Sequence, residues 1–95
     1  MLTGLFYMTV KPERLDAFRP LITQLVQSTL AEDEGCITYV FHQQQDDPHE
    51  FVLYEQWRDQ EAVEAHFARL DREIGIATIR DFFVQTRTVL YTVVT

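Results

Sequence analysis

Four stretches of the chain concentrate β-branched and aromatic residues and read as strands: GLFYMTV at 4–10, CITYVFHQQ at 36–44, FVLYEQW at 51–57 and roughly VQTRTVLYTVV at 84–94. Between the second and third, QDDPHE at 45–50 carries Asp-Pro turn chemistry, which makes those two strands an antiparallel hairpin. Elsewhere the period lengthens. From Pro12 to about Leu30, the residues Leu15, Phe18, Ile22, Leu25, Val26 and Thr29 recur at helical spacing; Pro12 and Glu13 suit a first turn, and Gly35 supplies a stop. Pro20 lies inside that helix and predicts a bend, because it removes a backbone donor. Asp59 is a good N-cap for a second helix, with Gln60 and Glu61 in its first turn and Val63, His66, Phe67 and Leu70 as the inward stripe. A shorter helical piece runs through DREIGIATIRDFF, weakened at Gly75. The order β-α-β-β-α-β is that of an α+β, ferredoxin-like domain with an antiparallel sheet. Its 95 residues make a single domain, 1–95.

The strands carry a second message. A sheet with one wet face alternates apolar and polar residues, yet Leu5, Phe6, Tyr7 and Met8 are apolar on both parities, as are Ile37, Tyr39, Val40, Phe41 and Val89, Leu90, Tyr91, Val93, Val94. Two helices cover one face only. A second copy is the natural cover for the other, so the pattern predicts a homodimer packed sheet to sheet.

Charge and composition narrow the function. A net charge of −7 repels phosphodiester backbones and anionic lipid, which argues against nucleic-acid or membrane-surface partners. No 18-residue apolar span or signal-peptide pattern is present, and the expected location is cytoplasmic. Cys36 stands alone and reads as a small core residue in a reducing compartment. His42 and His49 flank the hairpin turn without a third ligand at metal-binding spacing, so no metal site is expected.

Two residues remain to be explained. Glu55 shares one face of its strand with Phe51, Leu53 and Trp57, and His66 lies on the inward stripe of the following helix. A buried carboxylate is costly unless paired or protonated. A carboxylate and an imidazole around one apolar cavity suit general acid–base work near neutral pH. The pattern leaves open whether Glu55 faces the helices or the dimer interface, and whether the two side chains touch. Tyr39 and Trp57 are core residues that could also line a cavity for a planar substrate.

The segments EDEGCITYVF and FVLYEQW, the run from Asp59 to His66, and VKPE before the first helix together resemble the antibiotic biosynthesis monooxygenase domain, a group of dimeric α+β barrels. The resemblance follows the order of elements along nearly the whole chain. It implies oxygenation of a small aromatic or quinol-like substrate by O2 without a cofactor, with Glu55 and His66 catalytic and Tyr39, Trp57 and Phe67 shaping the substrate pocket. Relatives also include haem-degrading enzymes and an isomerase acting on a phosphorylated sugar-like signal. Asp71 stands where many members have a second histidine. The first strand has no Asn and DREIGIATIRDFF no His, which argues against haem degradation. An isomerase of small carbonyl compounds and a non-catalytic ligand-binding dimer are the alternatives.

Overall fold

The computed structural model describes residues 1–95. Four strands, β1 (Leu2–Val10), β2 (Cys36–Gln43), β3 (Glu50–Trp57) and β4 (Phe83–Thr92), form one antiparallel sheet in the order β2-β3-β1-β4. A 3-10 turn at Pro12–Arg14 leads into α1 (Leu15–Glu32); α2 (Gln60–Glu73) and the short α3 (Ile76–Arg80) follow β3. The element order matches the sequence expectation, and the strand ends shift by one or two residues.

Pro20 does not interrupt α1, which runs as one helix from Leu15 to Glu32. The carbonyl it deprives of a donor belongs to Asp16, in the exposed first turn, where a missing intrahelical bond costs least because the group is open to solvent. The buried side of α1 is Phe18, Leu21, Leu25 and Thr29, with Leu15, Ile22 and Val26 packed at its edges. Asp59 caps α2 as expected, its carboxylate accepting the Ala62 N–H at 2.9 Å. Gly35 is required by close approach, since a Cβ there would collide with the Ala62 side chain. Gly75, at φ 100°, turns the chain between α2 and α3.

The helices lie on one face of the sheet, and the strand register says which residues meet them. Tyr39, Glu55, Gly4 and Leu90 make one cross-strand row beneath the helices; Phe41, Leu53, Phe6 and Thr88 make the next. Phe18 of α1 is the hub, with edge-on contacts to Phe41, Phe51 and Phe83 at ring separations of 5.0–6.1 Å. The opposite face carries a wholly apolar row, Val40, Tyr54, Leu5 and Val89, and none of the four packs against the core. Beside it, a hydrogen-bonded row crosses three strands: the Thr38 hydroxyl donates to Gln56 Oε1 at 3.0 Å, and Gln56 Nε2 donates to the Thr3 hydroxyl at 3.3 Å.

Candidate functional site

A cavity of about 410 Å³ lies between the helix-bearing sheet face and the helices, lined chiefly by apolar and aromatic side chains. Two titratable groups of interest reach it, Glu55 from β3 and His66 from α2. Its far end, over β4, is wetter. There Thr86, Thr88 and Arg80 line it and are exposed, because neither long helix covers that edge strand.

Glu55 faces the helices, which settles the parity question. Gly4, directly opposite on β1, leaves the room for its side chain: a Cβ at Gly4 would stand 3.1 Å from Glu55 Cγ. The carboxylate accepts the Trp57 indole N–H at 2.7 Å. Burial pushes the Glu55 pKa above the ordinary value, and the indole bond opposes that rise without cancelling it. Nearby, burial and the charge of Glu55 push the Tyr39 phenol well above its usual range, so it stays a neutral wall.

His66 does not pair with Glu55. Its Nδ1 lies 2.6 Å from Oδ2 of Asp33, the residue that ends α1, and its side chain is 2% exposed. Asp33 also receives both edges of a guanidinium: Arg69 Nε donates to Oδ1 at 2.7 Å and Nη2 to Oδ2 at 2.8 Å. Arg69 in turn donates to Glu73 at 2.6 Å and to the Thr29 hydroxyl at 3.2 Å. Burial would raise the Asp33 carboxyl, but hydrogen bonds and charge from Arg69 and His66 prevail and hold it below its ordinary value. Burial pushes His66 down, and Asp33 opposes that only in part, so the ring is neutral at pH 7. The imidazole is walled by Trp57, Tyr39 and Phe67 at ring separations of 4.6, 5.4 and 5.4 Å.

Of the residues expected from the sequence, Glu55, His66, Tyr39 and Phe67 all line the one cavity. Trp57 lies behind the wall, 1% exposed, and holds Glu55 instead of facing a ligand. Phe67 is half exposed rather than inward, because the α2 stripe is Ala62, His66, Arg69 and Leu70. Asp33 and Arg69 escaped the sequence reading. Arg69 stands one helical turn after His66, and Asp33 reads as an ordinary polar helix end beside Gly35. Cys36 packs beside the core, and burial with the charges of Asp33 and Glu55 pushes its thiol up to about 11.

A small ferredoxin-like domain with an apolar cavity between sheet and helices, and acid–base residues in its wall, defines the class. The chain belongs to the antibiotic biosynthesis monooxygenase family, whose match covers residues 1–71. The crystal structure of an antibiotic biosynthesis monooxygenase has a TM-score of 0.87 to it at 30% identity, covering 100% of both chains, α3 and β4 included. A Pseudomonas aeruginosa protein is 27% identical with a TM-score of 0.78, covering 99% of this chain and 94% of its own. A Deinococcus radiodurans protein, 19% identical with a TM-score of 0.85 over 100% of this chain and 94% of its own, shares the fold. An uncharacterized Synechocystis protein is 31% identical over 58 residues, 61% of this chain but only 39% of the relative's length.

Proposed function

We propose that the chain is a homodimeric monooxygenase that binds a small aromatic or quinol-like molecule in this cavity and moves its protons with its own side chains, without a cofactor. The observation that carries this reading is the presence of Glu55, with a raised pKa, and a neutral His66 in the wall of one apolar chamber. Family membership and a monooxygenase-named structural relative support it. The uncovered apolar row Val40–Tyr54–Leu5–Val89, with Val40 exposed and the other three half-buried, supports the dimer.

For a phenol, the chemistry balances without an external reductant. A base in the wall removes the hydroxyl proton, and the electron-rich ring passes electrons to O2. A carbon–oxygen bond forms, and the peroxide takes up the proton. Loss of the ring C–H proton to a base then breaks the O–O bond. One oxygen atom remains as a quinone carbonyl, and the other departs as hydroxide, which the second proton converts to water. The substrate supplies all four electrons. The protein contributes the base, the orientation and a dry site.

Oxygen uptake on adding reduced menadione, corrected for spontaneous oxidation, tests the reading. His66→Ala and Glu55→Gln are each expected to lower the corrected rate by about 100-fold or more. Uptake unchanged in both variants removes these residues from the mechanism. A ligand-dependent rise in melting temperature with no uptake makes the protein a binding module.

A further inference from the structure

The geometry assigns Asp33 and Arg69 a joint positioning role: Asp33 fixes the His66 ring with its proton on Nδ1 and Nε2 bare for the cavity, while Arg69 cancels the Asp33 charge, so the imidazole is oriented without being held as imidazolium. The inference deepens the acid–base reading of this cavity and rests on it for its catalytic meaning.

The tautomer follows from the donor count. Asp33 accepts from Arg69 on both oxygens, at 2.7 and 2.8 Å, which is the pattern of an ionised carboxylate with no proton to give. His66 Nδ1 sits 2.6 Å from Oδ2, so it must carry the shared hydrogen. A neutral ring protonated at Nδ1 has a lone pair on Nε2. No hydrogen bond from the chain occupies Nε2, and His66 lines the cavity.

The charge follows from what surrounds the ring. A buried carboxylate alone beside an imidazole favours the imidazolium, which cannot accept a proton. Here the guanidinium faces the same carboxylate from α2, its side chain 7% exposed like that of Asp33. The other charged or titratable groups nearby are Glu32 and Glu73, both on Arg69, and Cys36 at the start of β2 within reach of the Asp33 charge, with Tyr39 from β2, Glu55 from β3 and Arg80 from α3 on the cavity wall. A clamp that merely tied the end of α1 to α2 would not need a particular histidine tautomer.

The test is long-range proton–nitrogen NMR on protein with ring-labelled histidine, titrated without substrate, with His66 assigned by loss of its signals in His66→Gln. The wild type is expected to show protonated Nδ1 and bare Nε2 at neutral pH. Asp33→Ala should release the ring to the Nε2-protonated form or a mixture. Arg69→Met should keep the tautomer but raise the His66 midpoint by about one unit, the effect of an uncompensated carboxylate. A wild-type ring protonated at Nε2 overturns the inference even if neither variant folds. So does an unchanged tautomer in Asp33→Ala, or a midpoint in Arg69→Met that stays or falls. Because no substrate is present, absence of oxygen uptake would sink the oxygenase reading and leave this result standing.

Discussion

The two faces of one sheet treat polar groups in opposite ways. Beneath the helices, titratable side chains are few, deep and paired: Asp33 with Arg69 and His66, and Glu55 with the Trp57 indole. On the other face, polar and apolar rows alternate, Thr38–Gln56–Thr3 beside Val40–Tyr54–Leu5–Val89, and no element of this chain lies over them. The covered face is a finished interior with a chamber left in it. The open face has the composition of an interior and the exposure of a surface. The difference separates what the single chain completes, the acid–base wall, from the sheet face that it leaves uncovered, which the proposed dimer would bury.

The covered face should be the more fragile. Arg69→Met leaves the Asp33 carboxylate buried without its guanidinium, and the expected loss is about 3–5 kcal/mol of unfolding free energy at pH 7, read by urea denaturation. The sign with pH follows from Asp33, whose carboxyl is held below its ordinary value. Its contribution is present above the ordinary carboxylate range and lost as pH falls through its lowered folded value. The gap between wild type and Arg69→Met should therefore narrow toward acid. A constant gap from pH 7 down to pH 3 would mean that packing of the arginine stem, not the ion pair, is what the substitution removes.

On the open face the expected effect falls on association. Tyr54 stands within the apolar row, between Val40 and Leu5, and Tyr54→Glu would set a charge against its symmetry mate in a sheet-to-sheet dimer. Sedimentation should show association weakened toward monomer, with Kd raised by at least 100-fold, about 2.7 kcal/mol, and the circular dichroism spectrum unchanged. A wild-type protein sedimenting at 11.2 kDa at micromolar concentration would leave this face without a partner copy and end the comparison in its present form.

How much of this was legible beforehand divides along the same line. Period gave the strands, the helices, the Asp59 cap and the doubly apolar sheet, because these depend on spacing within one element. Parity grouped Glu55 with Leu53 and Trp57 but could not say which way that group faced, since the facing depends on where α1 and α2 pack. The partner of His66 was hidden for a related reason. Asp33 is 33 positions away and meets it only because the end of α1 lies against α2. Of the two arrangements the pattern leaves open for Glu55 and His66, contact or a shared pocket, the structure has the second, with each group held by its own partner. On α2 the buried stripe includes Arg69, which hydrophobic spacing does not select, because a charged residue is buried there by its partners rather than by its own polarity.

Adjacent residues of β1 offer the smallest and sharpest probe, since Gly4 faces the cavity and Leu5 the open side. Gly4→Ala brings a Cβ to 3.1 Å from Glu55 Cγ, so the Glu55 side chain must give slightly, and the expected outcome is that its carboxylate leaves the Trp57 indole. Loss of that bond costs about 1 kcal/mol, which the lower backbone entropy of alanine in a strand partly offsets, leaving stability nearly unchanged. The emission of Trp57, the single tryptophan, should shift while the dimer constant does not. Leu5→Ala should do the reverse, weakening association and leaving the indole emission alone. If both substitutions moved both signals equally, the faces would not be independent, and the chamber would depend on the partner for its shape.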